Sequence, residues 1–297
     1  MQLSGNACSC PNKGPNQVLF TAKDINFRTT EVESNVLRCQ SCGSIFPELF
    51  PTHDTLAEAY RNYYTDVRGQ SRQTWGQRLI NATRKRYLMR ETPVDAKRVL
   101  DFGCGSGAFL SSLVKAGFEG EAWGTDLLKP SNLQPEIRWI DESDLEEGPK
   151  FDWITLSHVL EHVEDPRGLL ARLSRRLTPG GRIWISTPNA DSFLFRTMGR
   201  WARDVDFPRH REVFSKGGLR ELLFDEQFDA SFLSPPAVNA AMNARSSLGS
   251  IRADGSASSR ESVGAIVSTV LLLGISPFFP GIAPELVVVC SPQRAPQ

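Results

Sequence analysis

Apolar and polar positions follow two regimes along this chain. From Lys97 onward, apolar runs of strand length alternate with stretches whose apolar positions recur at helical spacing. The pattern predicts strands at 98–102, 121–126, 137–140, 151–157, 182–187, 229–233 and 285–290. Residues 106–116 predict a helix with Phe109, Leu110, Leu113 and Val114 on one face and Gly117 as a left-handed cap. Asp165 and Pro166 supply the N-cap and first residue of a second helix, with Leu169, Leu170, Leu173 and Leu177 packing it. Pro179, Gly180 and Gly181 then turn the chain into the fifth strand. Such alternation predicts an α/β fold, a mostly parallel sheet with helices on both faces.

Before Lys97 the texture changes. Residues 1–50 are rich in strand and turn formers and carry four of the six cysteines. Residues 54–92 read as helical, with a basic stretch from Arg78 to Arg90, packing residues Trp75, Leu79, Tyr87 and Leu88, and Pro93 as the stop. The expected organisation is a module at 1–50, a helical linker or cap at 51–96, and an α/β domain at 97–297. Insertions at 190–215 and 237–284 are expected to cover the acceptor side. Ser246–Ser262 is of low complexity and reads as a mobile loop, part of a polar flap from Asn239. The apolar stretch 263–280 is interrupted by Pro277 and Pro280 and falls short of the about 20 residues of a membrane span. It is expected to close over the acceptor and to make peripheral membrane contact.

At 297 residues the chain has room for one such domain and an appendage. Basic and acidic residues balance at 34 each, which gives no field for a nucleic-acid partner. The N-terminus lacks a basic region followed by an apolar run, and Cys104 and Cys290 sit in buried-type segments. A reduced, cytoplasmic protein is expected, membrane-associated only through 263–280.

The chemistry concentrates in VLDFGCGSGAF at 99–109 and WGTD at 123–126. Gly103, Gly105 and Gly107 let a ligand approach bare backbone at a helix N-terminus, and Asp126 lies 19 residues beyond Gly107, at the end of the next strand. Downstream stand FDWITLSHVLEHVEDP at 151–166 and LTPGGRIWISTPN at 177–189. In this order and spacing the four segments resemble the class I S-adenosylmethionine-dependent methyltransferases. The resemblance implies a Rossmann-like seven-stranded sheet of order 3-2-1-4-5-7-6. It implies S-adenosylmethionine as cofactor, with Asp101, Gly103, Gly105, Gly107, Leu127 and Ser157 around it and Asp126 on the ribose hydroxyls. Asp141, Glu142 and Asp144 compete for the adenine amino group, with Asp141 the first of them in the chain. The glycine spacing departs from that of nicotinamide oxidoreductases.

Cys8-x-Cys10 and Cys39-x-x-Cys42 flank 28 residues. Two thiolate pairs on tight turns suit a structural Zn2+, against four ordinary thiols or two disulfides. The arrangement resembles the zinc-bearing N-terminal segment of methyltransferases in bacterial sugar and polysaccharide pathways, and so implies a small zinc-ribbon-like module. The C-x-C spacing of the first pair departs from that pattern.

Methyl transfer to a hydroxyl needs a base, and two of the four histidines fall near the expected acceptor. His210 is expected to be the base and His158 to shape the cofactor pocket. Glu161 and His162 are expected to fix a turn, and His53 to cap a helix. Arg196, Arg200, Arg203, Arg209 and Arg211, interleaved with Phe193, Phe195, Trp201 and Phe207, suit a diphosphate on the acceptor. The expected activity is methylation of a small molecule or glycan, a sugar or a lipid- or nucleotide-linked sugar. The alternatives are a methyltransferase-like binding module without catalysis and a quinone or phenol O-methyltransferase.

Overall fold

The computed structural model describes residues 3–11, 14–25, 28–52, 60, 82–83, 86–235, 237–254 and 282–293. They belong to two compact units. One comprises Met1–Ile80, Pro188–Glu221 and Ser234–Leu286; the other comprises Asn81–Thr187, Leu222–Leu233 and Val287–Gln297.

The first unit begins with five strands, β1 (Leu3–Gly5), β2 (Asn16–Lys23), β3 (Glu33–Cys39), β4 (Ile45–Pro47) and β5 (Leu49–Pro51). β2, β3 and β4 form an antiparallel sheet, and β1 pairs with β5. Its core gathers Ala22, Val36 and Ile45 with Leu194, Met198, Val205, Phe207, Val213, Ala244 and Ile251, residues far apart in the chain.

The second unit is built on β6 (Arg98–Phe102), α1 (Ala108–Lys115), β7 (Glu121–Thr125), β8 (Ile137–Trp139), β9 (Phe151–Ser157), α2 (Pro166–Arg175) and β10 (Leu177–Pro188). α3 (Phe193–Met198) and α5 (Ala237–Asp254) belong to the first unit, and the remaining elements are α4 (Lys216–Asp225), β11 (Phe228–Leu233) and β12 (Glu285–Pro292). The sheet order is β8-β7-β6-β9-β10-β12-β11, the expected 3-2-1-4-5-7-6. Within this seven-stranded sheet, β11 and β12 pair antiparallel, and the other described pairings are parallel. β9 sits at the centre and is buried along most of its length, as a parallel strand covered on both faces must be. α1 buries Phe109, Leu110 and Leu113. In α2 the Asp165 carboxylate accepts from the Gly168 amide at 2.9 Å, a capping bond, and Pro166 opens the first turn.

Three expectations change. Leu177 starts β10 instead of ending the helix face, and Gly180 and Gly181 form an irregularity inside the strand, where the register shifts between Leu177 and Arg182. Backbone pairing with β9 outweighs the turn chemistry there. The polar stretch expected as a loop is helical through Asp254. Its alanines are good helix formers, and Asn243, Ala244, Ser247 and Ser250 are buried. His53, most of the predicted 54–92 helix with Trp75 and Leu79, and the apolar stretch 263–280 lie outside the described residues. Among the described residues no helix is long and apolar enough to cross a membrane.

Candidate donor site and cysteine centre

The glycine turn lies where β6 gives way to α1, at the C-terminal ends of adjacent parallel strands, the end at which open α/β sheets bind ligands. The Gly103 and Cys104 amides donate to the Thr125 carbonyl at 2.8 and 3.0 Å, which ties the turn to the end of β7. The Gly105 amide donates to Asp126 Oδ2 at 2.7 Å, and the Leu127 amide to Oδ1 of the same carboxylate at 2.7 Å. Asp126 is thus aimed by backbone before any ligand is considered. Gly103 has φ +74° and a Cβ there would stand 2.4 Å from Val159 Cγ2, so the turn closes against the loop after β9 only without a side chain. Gly105, at φ +54°, is different: a Cβ there meets nothing within 4 Å. The backbone that a donor molecule would press against is bare and open, and Leu127 and Leu128 beside it are exposed. These residues fit a nucleoside with ribose hydroxyls on Asp126 and an apolar cover.

Asp101 is buried at the end of β6 and accepts from the Thr155 hydroxyl at 2.6 Å. Burial pushes its carboxyl up to about 7, against the lowering effect of Thr155 and with a further push from the negative charge of Asp126. A cationic ligand group nearby would favour the ionised form. Asp141 is exposed and accepts from Trp139 Nε1 at 2.7 Å, just past β8.

Ser157 ends β9 and His158 follows it with φ +56°. The His158 amide donates to the Ser186 carbonyl of β10 at 2.8 Å. Its Nδ1 lies 3.1 Å from Glu161 Oε1, and Glu161 Oε2 accepts from the Thr187 hydroxyl at 3.0 Å. Glu161 is fully buried while the His158 side chain is 24% exposed. The expected turn-fixing acid therefore orients a histidine as well, which spacing alone does not reveal.

His210 belongs to the first unit. It is buried, with Nδ1 2.8 Å from the Asp204 carbonyl and Nε2 4.0 Å from Asp206. The neighbouring arginines are engaged. Arg209 is fully buried, donating to Asp24 at 2.7 Å and to Asp206 at 2.9 Å, and Asp24 also accepts from the Thr29 amide and hydroxyl. Burial works against charge on Arg209, but Asp206 and Asp24 raise its pKa regardless. Arg200 lies over the Trp201 ring, Arg211 over Phe50, and Arg203 bonds Asn243. Arg84 and Lys85 lie outside the described residues.

In the first unit Cys8, Cys10, Cys39 and Cys42 converge, all four buried, with their sulfurs within 4.8 Å of one another. Cys8 and Cys10 are 3.2 Å apart and Cys10 and Cys39 3.6 Å. A tetrahedral zinc with Zn–S near 2.3 Å requires sulfur separations of about 3.8 Å. The short C-x-C pair therefore does not prevent a four-sulfur set. None of the six cysteines is in a disulfide. Hydrogen bonds from the Cys8 thiol and Ser44 bring Cys42 down to about 5, the same bond to Cys42 and burial push Cys8 upward, and burial pushes Cys10 up to about 12. A soft divalent cation held by the four sulfurs together would favour thiolate ligands. Sequence spacing missed Glu212, which is buried beside this centre and accepts from the Ser9 amide at 2.8 Å and from its hydroxyl. Nothing in the sequence links an acid at 212 to a serine at 9.

A family profile described as a methyltransferase domain matches residues 72–230, more than half of the chain. Ubiquinone biosynthesis O-methyltransferase of Xylella fastidiosa is 31% identical over 133 residues, covering 40% of this chain and 54% of that protein. The Paracidovorax citrulli protein of the same name is 33% identical over 134 residues, covering 40% and 56%. The chain thus spans about half the length of the curated relatives it matches. Among solved structures, the methyltransferase in complex with the Haloferax volcanii Trm112 methyltransferase activator superposes with a TM-score of 0.50 at 15% identity. That match covers 81% of this chain and 98% of the other, a likeness of fold. The chain belongs to the S-adenosylmethionine-dependent methyltransferase family.

Proposed function

We propose that this protein transfers a methyl group from S-adenosylmethionine to a hydroxyl oxygen of a small acceptor, with His158 taking the proton. The observation that carries this reading is the placement of two devices at one end of one sheet. The Gly103–Gly107 turn with Asp126 follows β6 and β7, and the His158–Glu161–Thr187 relay follows the adjacent β9 and β10. Val159, next to His158, is the residue against which Gly103 closes.

Bound S-adenosylmethionine supplies an electrophilic methyl group that needs no further activation. The chain's own residues then have three tasks. Asp126 and the glycine backbone hold the donor, with Asp101 behind them. The sheet end aligns the acceptor oxygen, since an in-line displacement depends on position above all. His158 removes the hydroxyl proton, and Glu161 orients the imidazole through the contact at Nδ1. His210, set against a backbone carbonyl, serves better as an anchor of its loop.

The similarity to ubiquinone biosynthesis O-methyltransferases favours a phenolic hydroxyl. The sugar hydroxyl is the second reading, favoured by the cysteine segment's resemblance to sugar-pathway enzymes and weakened by the engagement of Arg209. The cysteine centre is proposed to hold one structural Zn2+, because four buried sulfurs converge within reach of a single tetrahedral ion.

The test is label transfer from a methyl-tritiated donor to a catechol and, separately, to a nucleotide-linked hexose. Label on the catechol supports the first reading, label on the hexose the second, and label on neither refutes both. His158→Ala should lower kcat by about 10²–10⁴-fold without weakening donor binding. Glu161→Gln should shift the pH profile of kcat/KM, which a merely structural role would leave in place.

A further inference from the structure

We infer that the cysteine centre acts as a metal-dependent fastener for the chain from Arg209 to Gly218, with Glu212 as its positioning residue. The inference rests on the proposed metal occupancy and concerns contacts within the first unit alone.

Four sets of bonds join the two loops that carry the cysteines, and the residues flanking them, to this distant segment. Ser9, the residue between Cys8 and Cys10, gives both its amide and its hydroxyl to the Glu212 carboxylate. Asn6 donates to the Arg211 carbonyl at 2.8 Å and to the Pro47 carbonyl at 3.2 Å. On the other side, the Ser215 hydroxyl donates to the Cys42 carbonyl, and the Ser215 amide to the Ser44 hydroxyl at 3.3 Å. Ile45 and Val213 exchange two backbone hydrogen bonds of 3.0 and 2.8 Å in an antiparallel bridge. The fit is close. A Cβ at Gly218 would stand 2.5 Å from Ser44 Oγ, and one at Gly43 would stand 3.4 Å from Ser215 Cβ.

Glu212, Val213 and Ser215 are thus held by residues whose positions a four-sulfur metal site would set, Ser9 within the C-x-C turn and Cys42 to Ile45 leaving the C-x-x-C turn, while the Arg211 carbonyl is held by Asn6 and the Phe214 carbonyl by the Ala190 amide. The Cys39 turn itself closes with the Gly43 amide on the Cys39 carbonyl at 2.8 Å and the Cys39 amide on the Ser44 carbonyl at 2.9 Å. Metal binding orders both turns together, since each contributes two ligands. Release of the metal frees Ser9 and Ser44 at once, and with them the hydrogen bonds of Glu212 and Ser215. Arg209, held by Asp24 and Asp206, marks where the fastened segment joins the rest of the unit. A metal site of this kind does more than stabilise its own loops: its occupancy sets the order of a segment about 170 residues away in sequence from Cys42, since Ser215 is 173 positions from it.

Amide hydrogen exchange on the full-length protein, zinc-loaded and after chelation, tests this, with zinc content measured on both samples. The expected result is one zinc per chain before chelation. On its removal, exchange should rise by about tenfold or more at Ser9, Ile45 and 211–215, while Leu194–Met198 and Ala244–Ile251 keep their protection. Glu212→Ala should weaken Zn2+ by about 10–100-fold in competition with a chromophoric chelator. Ser215→Ala should loosen 211–215 while zinc remains bound. Zinc lost with 211–215 still protected would overturn the fastener, and so would equal loss of protection throughout the unit. Absence of zinc from the freshly prepared reduced protein would overturn the metal reading and the fastener with it.

Discussion

The glycine turn after β6 and the cysteine centre are both built from tight turns, yet they reach order by opposite routes. The glycine turn is preformed. Its amides are satisfied by Thr125 and Asp126 through a strand order fixed by parallel pairing, and no ion is needed to hold Asp126 in place. The cysteine centre is proposed to be conditional on a cation. Its four buried sulfurs converge, with hydrogen bonds lowering the Cys42 thiol and burial raising that of Cys10. A site that must accept and release a donor on each turnover gains from the first design. One that only has to hold a loop can depend on a cation for its stability.

The sharpest way to break that comparison is to remove the thiolates. Apparent binding free energies of structural zinc are about 10–16 kcal/mol, so Cys39→Ser with Cys42→Ser should abolish metal binding and strongly destabilise the cysteine loops. Atomic emission and calorimetric melting would record this. Donor binding at the glycine turn should survive, because its hydrogen bonds all lie within the second unit. Next in size is Arg209→Met. It strands Asp24 and Asp206 without their cation and should cost about 3–5 kcal/mol in denaturant unfolding, more than a surface arginine could. On the other side of the comparison, Asp126→Ala should weaken S-adenosylmethionine by about 2–4 kcal/mol, the worth of two charge-assisted bonds.

The smallest expected effect is a titration. The Asp101 carboxyl is raised to about 7, so the proton it holds favours the folded protein at low pH, and that contribution fades as pH climbs from the ordinary carboxylate range through 7. The cationic donor prefers the ionised form. Donor affinity should therefore rise roughly tenfold from about pH 6 to about pH 8, and Asp101→Asn should flatten the dependence. A flat profile in the unaltered protein would separate Asp101 from donor binding.

The two regions also differ in how much of them the sequence displayed. The glycine turn, Asp126 and the helix caps are products of local spacing, each signal confined to a few tens of residues, and were legible; the strand order came only through the family resemblance. The four cysteines were legible as a set because thiols in pairs are distinctive. What tethers them was not. Ser9 to Glu212 and Asp24 to Arg209 join residues about 200 positions apart, and an acid or arginine in a polar stretch looks the same whether solvated or buried. The five arginines of 196–211 show the consequence: as a string they suggest an anion site, but the fold engages Arg209 internally and lays Arg200 and Arg211 on aromatic rings. Residues 237–254 misled through composition, since serine, asparagine and glycine read as loop while the interspersed alanines and a buried face carry a helix.

Isothermal titration of S-adenosylmethionine, with NAD as the control, tests the central assignment most directly. The account predicts one donor molecule per chain, binding weakened by Asp126→Ala and blocked by Gly105→Val, whose side chain would occupy the open face of the turn. Binding should persist in the Cys39→Ser, Cys42→Ser double variant, and NAD should give no heat. Donor binding unaffected by both Asp126→Ala and Gly105→Val, or saturable binding of NAD in its place, would contradict it.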